Sequence, residues 1–124
     1  MQTIQQERAK YALNGVNKAV KEAEKGEISK SEYKSYAASL PAMIHMNGLG
    51  QAVAFYYSKG GTHKYLYDLL SNWLCKDSQP YGGYNDLLDG IVKSDMHTYR
   101  LAQAESQALM DWVKKFAKAY MQGD

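Results

Sequence analysis

Apolar residues recur through most of this chain at the alternating three- and four-residue intervals of an amphipathic α-helix. The stretches that keep these intervals are residues 12–23, 33–44, 49–57, 66–74, 84–92 and 101–120. No window alternates between apolar and polar positions for long enough to make a convincing strand. The pattern therefore predicts an all-α fold of about six helices, with a long first helix and a long last helix.

Turn and capping residues divide these six stretches. Gly26 is expected to end the first helix, and Pro41 is expected to break or kink the second because its ring removes a backbone donor. The best loop is residues 77–83, which are rich in serine, proline and glycine. The residues predicted to cap the starts of later helices are Ser29 or Ser31, Thr62 and Ser94.

Length and composition indicate one domain. The chain has 124 residues, of which 45% are hydrophobic and 23% charged, with a formal net charge of +2. These are ordinary values for a globular protein, so residues 1–124 are expected to form one compact helical bundle. The single cysteine, Cys75, cannot form an intramolecular disulfide, which favours a reducing, cytoplasmic location. No segment approaches the roughly 20 apolar residues that span a bilayer, so no membrane association is expected.

Candidate catalytic chemistry is sparse. His45, His63 and His97 are scattered, and none has the i, i+4 histidine partner of a helical zinc site. Asp95 and His97 beside Arg100 could form a metal or acid–base cluster, but they flank a predicted helix start, where an acidic residue favours capping. There is no phosphate-binding glycine loop and no nucleophile motif. The sequence therefore predicts no metal, no cofactor and no catalytic residue.

Glu105 is the most informative carboxylate, because helical spacing places it near the centre of the apolar stripe of the last helix. A carboxylate in such a place must be paired, hydrogen-bonded or neutralised. Arg8 lies at the edge of the first helix's apolar face, so we predict a structural ion pair between Arg8 and Glu105. Arg100 is the alternative partner, and a catalytic Glu105 is the alternative role.

The basic residues of the first helix are grouped on its polar side. Helical spacing places four of them within an arc of about 80°, opposite the apolar stripe. They are Lys10, Lys18, Lys21 and Lys25. Further basic residues follow on the second helix, Lys30 and Lys34, and on the last, Arg100, Lys114 and Lys118. Such a lysine stripe is typical of a solvated face or of a surface that contacts the RNA backbone.

Six short strings along the chain form a recognisable series. They are Q-E-R-A (residues 6–9), E-Y-K-S-Y-A (32–37), L-P-A-M-I (40–44), N-G-L-G-Q-A-V-A-F (47–55), Y-R (99–100) and A-E-S-Q-A-L-M-D-W-V-K-K-F-A (104–117). In this order and spacing they resemble the small subunit of the type III-B (Cmr-type) CRISPR–Cas effector complex. The resemblance runs essentially from end to end, and only residues 77–84 match nothing recognisable.

The resemblance implies a helical bundle that has no enzymatic activity of its own. Members of this family stack in more than one copy beside the backbone subunits that carry the guide RNA. There they help to form the positively charged groove that receives the target RNA. The implied partners are therefore other effector subunits, neighbouring copies of the chain, and the backbone of guide or target RNA. Cleavage of target RNA belongs to the backbone subunits, and nucleotide-cyclising chemistry to the large subunit.

The resemblance does not mark an RNA site residue by residue. The assignment of RNA contact to Lys10, Lys18, Lys21 and Lys25 comes from helical spacing alone. Two other readings stay open: a stand-alone helical RNase that uses Glu105 with Arg8, Arg100 or His97, and a pure protein–protein adaptor whose basic face is only solvated.

Overall fold

The computed structural model describes residues 1–122 and folds them into six α-helices, with no strand in that range. The helices are α1 (Ile4–Glu24), α2 (Lys30–Asn47), α3 (Leu49–Lys59), α4 (Gly61–Leu74), α5 (Leu87–Lys93) and α6 (Met96–Tyr120). The first and last are the longest, at 21 and 25 residues. The predicted all-α class, helix number and long terminal helices are confirmed. Within the described range no helix is long and apolar enough to cross a membrane.

Two side-chain contacts define how α6 lies against α2. The Leu49 N–H, just past the end of α2, donates to Gln103 Oε1 at 2.9 Å. Further down the seam, Gln107 Nε2 donates to the Pro41 carbonyl at 3.1 Å. From the first contact to the second, residue numbers rise along α6, from 103 to 107, and fall on the α2 side, from 49 to 41. The two helices are therefore antiparallel. Because residues 25–29 reverse the chain between α1 and α2, α6 runs in the same direction as α1.

The core lies between α6 and the helices α1, α2 and α4, and α3 covers α2 and α4 from the other side. Each helix contributes one fully buried stripe, as in α1, where Ala12, Val16 and Ala19 are 0% exposed. Four of the largest fully buried side chains are tyrosines, Tyr33, Tyr56, Tyr67 and Tyr81. The chain has 11 tyrosines, and these four belong to the core rather than to the surface.

The sequence predicted a break or a kink at Pro41, and the predicted break is wrong. The helix continues from Lys30 to Asn47 with the proline inside it. Proline removes one backbone hydrogen bond, but the side chains of Ala37, Leu40 and Ile44 on either side are all fully buried. Their packing holds both halves of the helix in place, and tertiary burial therefore outweighs the local preference.

The predicted caps are correct in one case and wrong in two. Ser29 accepts the Glu32 N–H at the start of α2, as expected. Thr62 lies inside α4, which begins after Gly60 without a side-chain cap. Its hydroxyl instead donates to Glu32 Oε1 at 3.0 Å and ties α4 to α2.

The start of α6 is capped one residue later than predicted. Asp95, not Ser94, accepts the Thr98 N–H at 2.8 Å. Ser94 is engaged elsewhere, because its hydroxyl lies 3.1 Å from the hydroxyl of buried Tyr81. An aspartate is the better cap at a helix start, since its charge also interacts favourably with the helix dipole.

The loop predicted at residues 77–83 is present, and α5 follows it, beginning at Leu87 rather than near Tyr84. Tyr81 from the loop is fully buried against α5. A Cβ atom on Gly90 would lie only 2.5 Å from Tyr81 Cγ. Glycine at position 90 therefore lets the tyrosine ring reach the backbone of α5.

Candidate nucleic-acid interface

The lysine stripe consists of Lys10, Lys18, Lys21 and Lys25, and all four side chains are exposed on the side of α1 away from the core. The helix is fixed at its start by a capping box between Thr3 and Gln6, in which each side chain bonds the other's backbone N–H. Because α1 is held by a cap and by a fully buried stripe, the lysine stripe projects from a defined surface.

Acidic and polar neighbours limit the stripe on the side of α4. Lys18 lines a shallow groove of about 280 Å³ between α1 and α4, together with Tyr65 and Asp68. Burial and the negative charge of Glu22 both raise the pKa of Tyr65. Asp68 is already bonded to Lys64 at 3.2 Å. Lys18 therefore stands at the boundary of the stripe, beside α4.

The structure brings Arg8 and Glu105 together across α1 and α6. Arg8 Nε donates to Glu105 Oε2 at 2.6 Å and Arg8 Nη2 donates to Oε1 at 2.9 Å. The two side chains are only 18% and 11% exposed. The hydrogen bond to Glu105 raises the pKa of Arg8. This bidentate geometry is the strong form of an arginine–carboxylate contact.

Trp73 is a third member of this network, and sequence reasoning missed it. Its indole Nε1 donates to Glu105 Oε2 at 2.8 Å. The Tyr11 ring packs on the indole with centroids 4.9 Å apart, and the Tyr11 hydroxyl donates to the Leu69 carbonyl. The available signal was chemical: a tryptophan in a core stripe needs an acceptor for its N–H. Only the fold shows that Glu105 supplies it.

Of the groups that the RNase hypothesis pairs with Glu105, Arg8 contacts it, but as one half of the structural ion pair. Arg8 donates to both carboxylate oxygens of Glu105, and Trp73 donates to Oε2. His97 lies eight residues before Glu105, about 12 Å along the helix axis. Asp95 is the cap of α6, and the hydrogen bonds from Thr98 lower its pKa. Residues 1–122 contain no group of three His, Cys, Asp or Glu side chains that could hold a metal ion.

His63 is packed into an aromatic cluster. Its ring stacks on Tyr36 with centroids 3.7 Å apart and meets Phe55 edge-to-face at 5.8 Å. Burial and the nearby Lys59 charge lower its pKa. The imidazole therefore serves as a flat packing group between α2, α3 and α4.

The N-G-L-G string contains the tight turn between α2 and α3. Gly48 adopts a φ of 86°, which favours glycine, between the end of α2 and the start of α3. The Gly50 N–H donates to the Tyr99 hydroxyl at 2.9 Å. The N-G-L-G and Y-R strings thus meet in space, where Tyr99 satisfies an open donor at the start of α3.

The chain is similar to known proteins over almost its whole length. A family profile described as CRISPR-associated protein (Cas_Cmr5) matches residues 4–120. A relative described as CRISPR system Cmr subunit Cmr5, from Thermus thermophilus, is 33% identical over 104 residues, 83% of this chain and 86% of the relative. A crystal structure of a CRISPR-associated Cmr5 family protein, also from Thermus thermophilus, shares 29% identity with a TM-score of 0.80, covering 98% of this chain and 100% of that chain.

These matches confirm the resemblance that the six strings indicated. The matched range begins at the first residue of α1 and ends at the last residue of α6, so it takes in every helix of the bundle. The same helical fold is present in the solved structure. The chain belongs to the Cmr5 family of CRISPR-associated proteins, the small subunits of type III-B Cmr complexes.

Proposed function

We propose that this chain is a non-catalytic subunit of an RNA-guided type III-B effector, and that its lysine stripe helps to line the groove for target RNA. In this proposal copies of the chain stack on one another beside the backbone subunits that carry the guide RNA. The observation that carries the proposal is the lysine stripe itself, three exposed lysines of α1 and a fourth at its C-cap, in a member of the Cmr5 family.

The chemistry of the stripe suits the RNA backbone rather than the bases. Lysine ammonium groups are flexible point charges that neutralise phosphates without reading sequence. Guide pairing reads the target sequence in an RNA-guided effector, so the protein needs only charge and shape. Contact of this kind is expected to be weak for one copy and to add up along a stack of copies.

A non-catalytic role is supported by how the titratable side chains are used. Glu105 is occupied by Arg8 and Trp73, and His63 is packed between aromatic rings. An RNase would need such groups to contact its substrate. Each of them already has a structural contact. The RNase reading would require Glu105 to exchange these partners for water or RNA.

Association with guide RNA tests the proposal. The full chain, tagged and purified from cells that express the other effector subunits and guide RNA, is expected to retain both through size-exclusion chromatography. A member of the complex stays with the ribonucleoprotein at moderate salt because protein–protein contacts hold it there. Elution of the chain alone, with no guide RNA and no other subunit, would overturn the proposal. RNA cleavage by the isolated chain that is lost in Glu105→Gln would favour the RNase instead.

A further inference from the structure

The seam between α2 and α6 brings together lysines that are distant in sequence. Gln107 contacts the Pro41 carbonyl across this seam. Lys114 lies seven residues after Gln107, two turns further along α6 on the same edge. Lys34 lies seven residues before Pro41, two turns back along α2 on the same edge. Because the helices are antiparallel, these two steps lead toward the same end of the seam, and helical spacing places Lys34 and Lys114 on the two edges that meet there.

One more turn in each direction adds a second pair, Lys30 on α2 and Lys118 on α6. Lys34, Lys114 and Lys118 are exposed and Lys30 is half-buried. Residues four apart are about 6 Å apart along a helix axis, and packed helices lie about 8–10 Å apart. The four residues, called here the α2–α6 lysine cluster, therefore occupy a compact patch near the end of the bundle.

The charge of this cluster is not balanced by ion pairs within residues 1–122. The salt bridges there join Arg8 to Glu105, Lys64 to Asp68 and Lys93 to Asp89, and none includes a cluster lysine. The nearest acids along the chain are Glu32, between Lys30 and Lys34, Glu27, three residues before Lys30, and Asp111, three residues before Lys114. Four ammonium groups against these three carboxylates leave the patch positive, so it attracts anions.

The α2 side of the cluster exposes only small and polar residues besides its lysines. Besides Lys34, the exposed residues of residues 30–40 are Ser31, Glu32, Ser35 and Ser39. Glu32 lies on the other edge of α2, where it accepts the Thr62 hydroxyl. A protein interface usually centres on a large aromatic or arginine anchor, and this part of α2 exposes none. A charged patch whose α2 side exposes only small and polar residues fits a nucleic-acid backbone better than the side of a folded protein.

We propose that the α2–α6 lysine cluster is a second RNA-contacting surface that binds the sugar-phosphate backbone of single-stranded RNA. It is separate from the lysine stripe of α1, because the cluster lies along the opposite edge of α6 from the one that packs on α1. The identification of RNA as the anion rests on the proposed function. The existence of an anion-binding patch rests on the seam geometry alone.

Salt-dependent binding by the isolated full chain tests this proposal. The probe is a fluorescent oligouridine, titrated at several salt concentrations with the parent and with Lys30→Gln, Lys34→Gln, Lys114→Gln and Lys118→Gln combined. A matched control loses the same charge elsewhere, through Lys59→Gln, Lys64→Gln, Lys76→Gln and Lys93→Gln combined. Each phosphate contact contributes about 0.7 to the slope of log affinity against log salt. The cluster variant should lose about 2 to 3 from the slope, and the control less than half as much.

Three results would overturn the proposal. An unchanged slope in the cluster variant would show a solvated patch, and equal losses in both variants would show that only net charge matters. If polyglutamate binds as tightly as oligouridine, and the cluster variant loses the same affinity for both, the patch is a surface for an acidic protein. Thermal melts within a few degrees of the parent establish that each variant is folded. Because the isolated chain is used, these results are independent of whether the chain joins an effector.

Discussion

Trp73 donates its indole N–H to Glu105 Oε2, the same oxygen that Arg8 Nε contacts from the opposite helix. One carboxylate thus joins α1, α4 and α6 at a single point. The Arg8 and Glu105 side chains are largely buried. Salt therefore screens their attraction less than it screens that of an exposed ion pair. Removing Glu105 would leave an arginine and an indole N–H without their acceptor.

Glu105→Ala is expected to lower the free energy of unfolding by about 3 kcal/mol, because it leaves a largely buried arginine unpaired. For a chain of this size that corresponds to a fall in melting temperature of about 10 °C. Asp68→Ala is the matched control, since it removes an exposed i,i+4 pair with Lys64 and should cost less than about 1 kcal/mol. Equal melting temperatures for Glu105→Ala and the parent would show that the network contributes nothing to stability.

Gly90→Ala is expected to destabilise the protein by about 1–3 kcal/mol through overpacking. The new Cβ would meet the fully buried Tyr81 ring at 2.5 Å, and this outweighs the gain of roughly 1 kcal/mol in helix propensity. Gly15→Ala is the control, because its Cβ would meet only the flexible end of Leu69 at 2.7 Å, which can move. Denaturant unfolding measures both. A neutral Gly90→Ala would show that Tyr81 is loosely held.

Stability is expected to fall as pH rises from about 10 to 12. Burial raises the pKa of Tyr11, Tyr56 and Tyr67 to about 12. The unfolded chain releases these protons near pH 10, before the folded chain does, so alkali favours unfolding. Urea unfolding across this range measures the effect. Tyr11→Phe removes one of the tyrosines with a raised pKa and should make the fall shallower; a fall as steep as the parent's would contradict the assignment.

The helices were predictable from sequence because each one buries a stripe, and the stripe follows the helical period. The exact capping residues were harder to predict, because Ser94 and Asp95 are adjacent candidates. Only the fold shows that Ser94 contacts Tyr81 and that Asp95 is the cap. The same holds for Pro41, whose local effect is overridden by buried neighbours on both sides. In both cases a tertiary contact determines the local structure, and a short stretch of sequence does not reveal that contact.

The candidate site, too, was only partly predictable from the sequence. The lysine stripe of α1 lies within one helix, so helical spacing alone could group its members. The α2–α6 lysine cluster could not be predicted, because it depends on the register that Gln107 and Pro41 establish between two helices. Trp73 likewise reaches Glu105 from a third helix. Sequence patterns identify faces of single helices, and the packing of helices decides which faces meet.

The proposed role of the lysine stripe in target capture is tested most directly by the salt dependence of target-RNA affinity in the reconstituted effector. The measurement compares the parent with Lys18→Ala, Lys21→Ala and Lys25→Ala combined, and with a control of equal charge loss, Lys59→Ala, Lys64→Ala and Lys93→Ala combined. The stripe variant should bind all guide-matched targets more weakly by a similar factor, and its log–log salt slope should fall by up to about 2. The control should retain the parent's slope. An unchanged affinity and slope in the stripe variant would contradict the account, because the stripe would then face solvent or protein and the RNA would follow another surface.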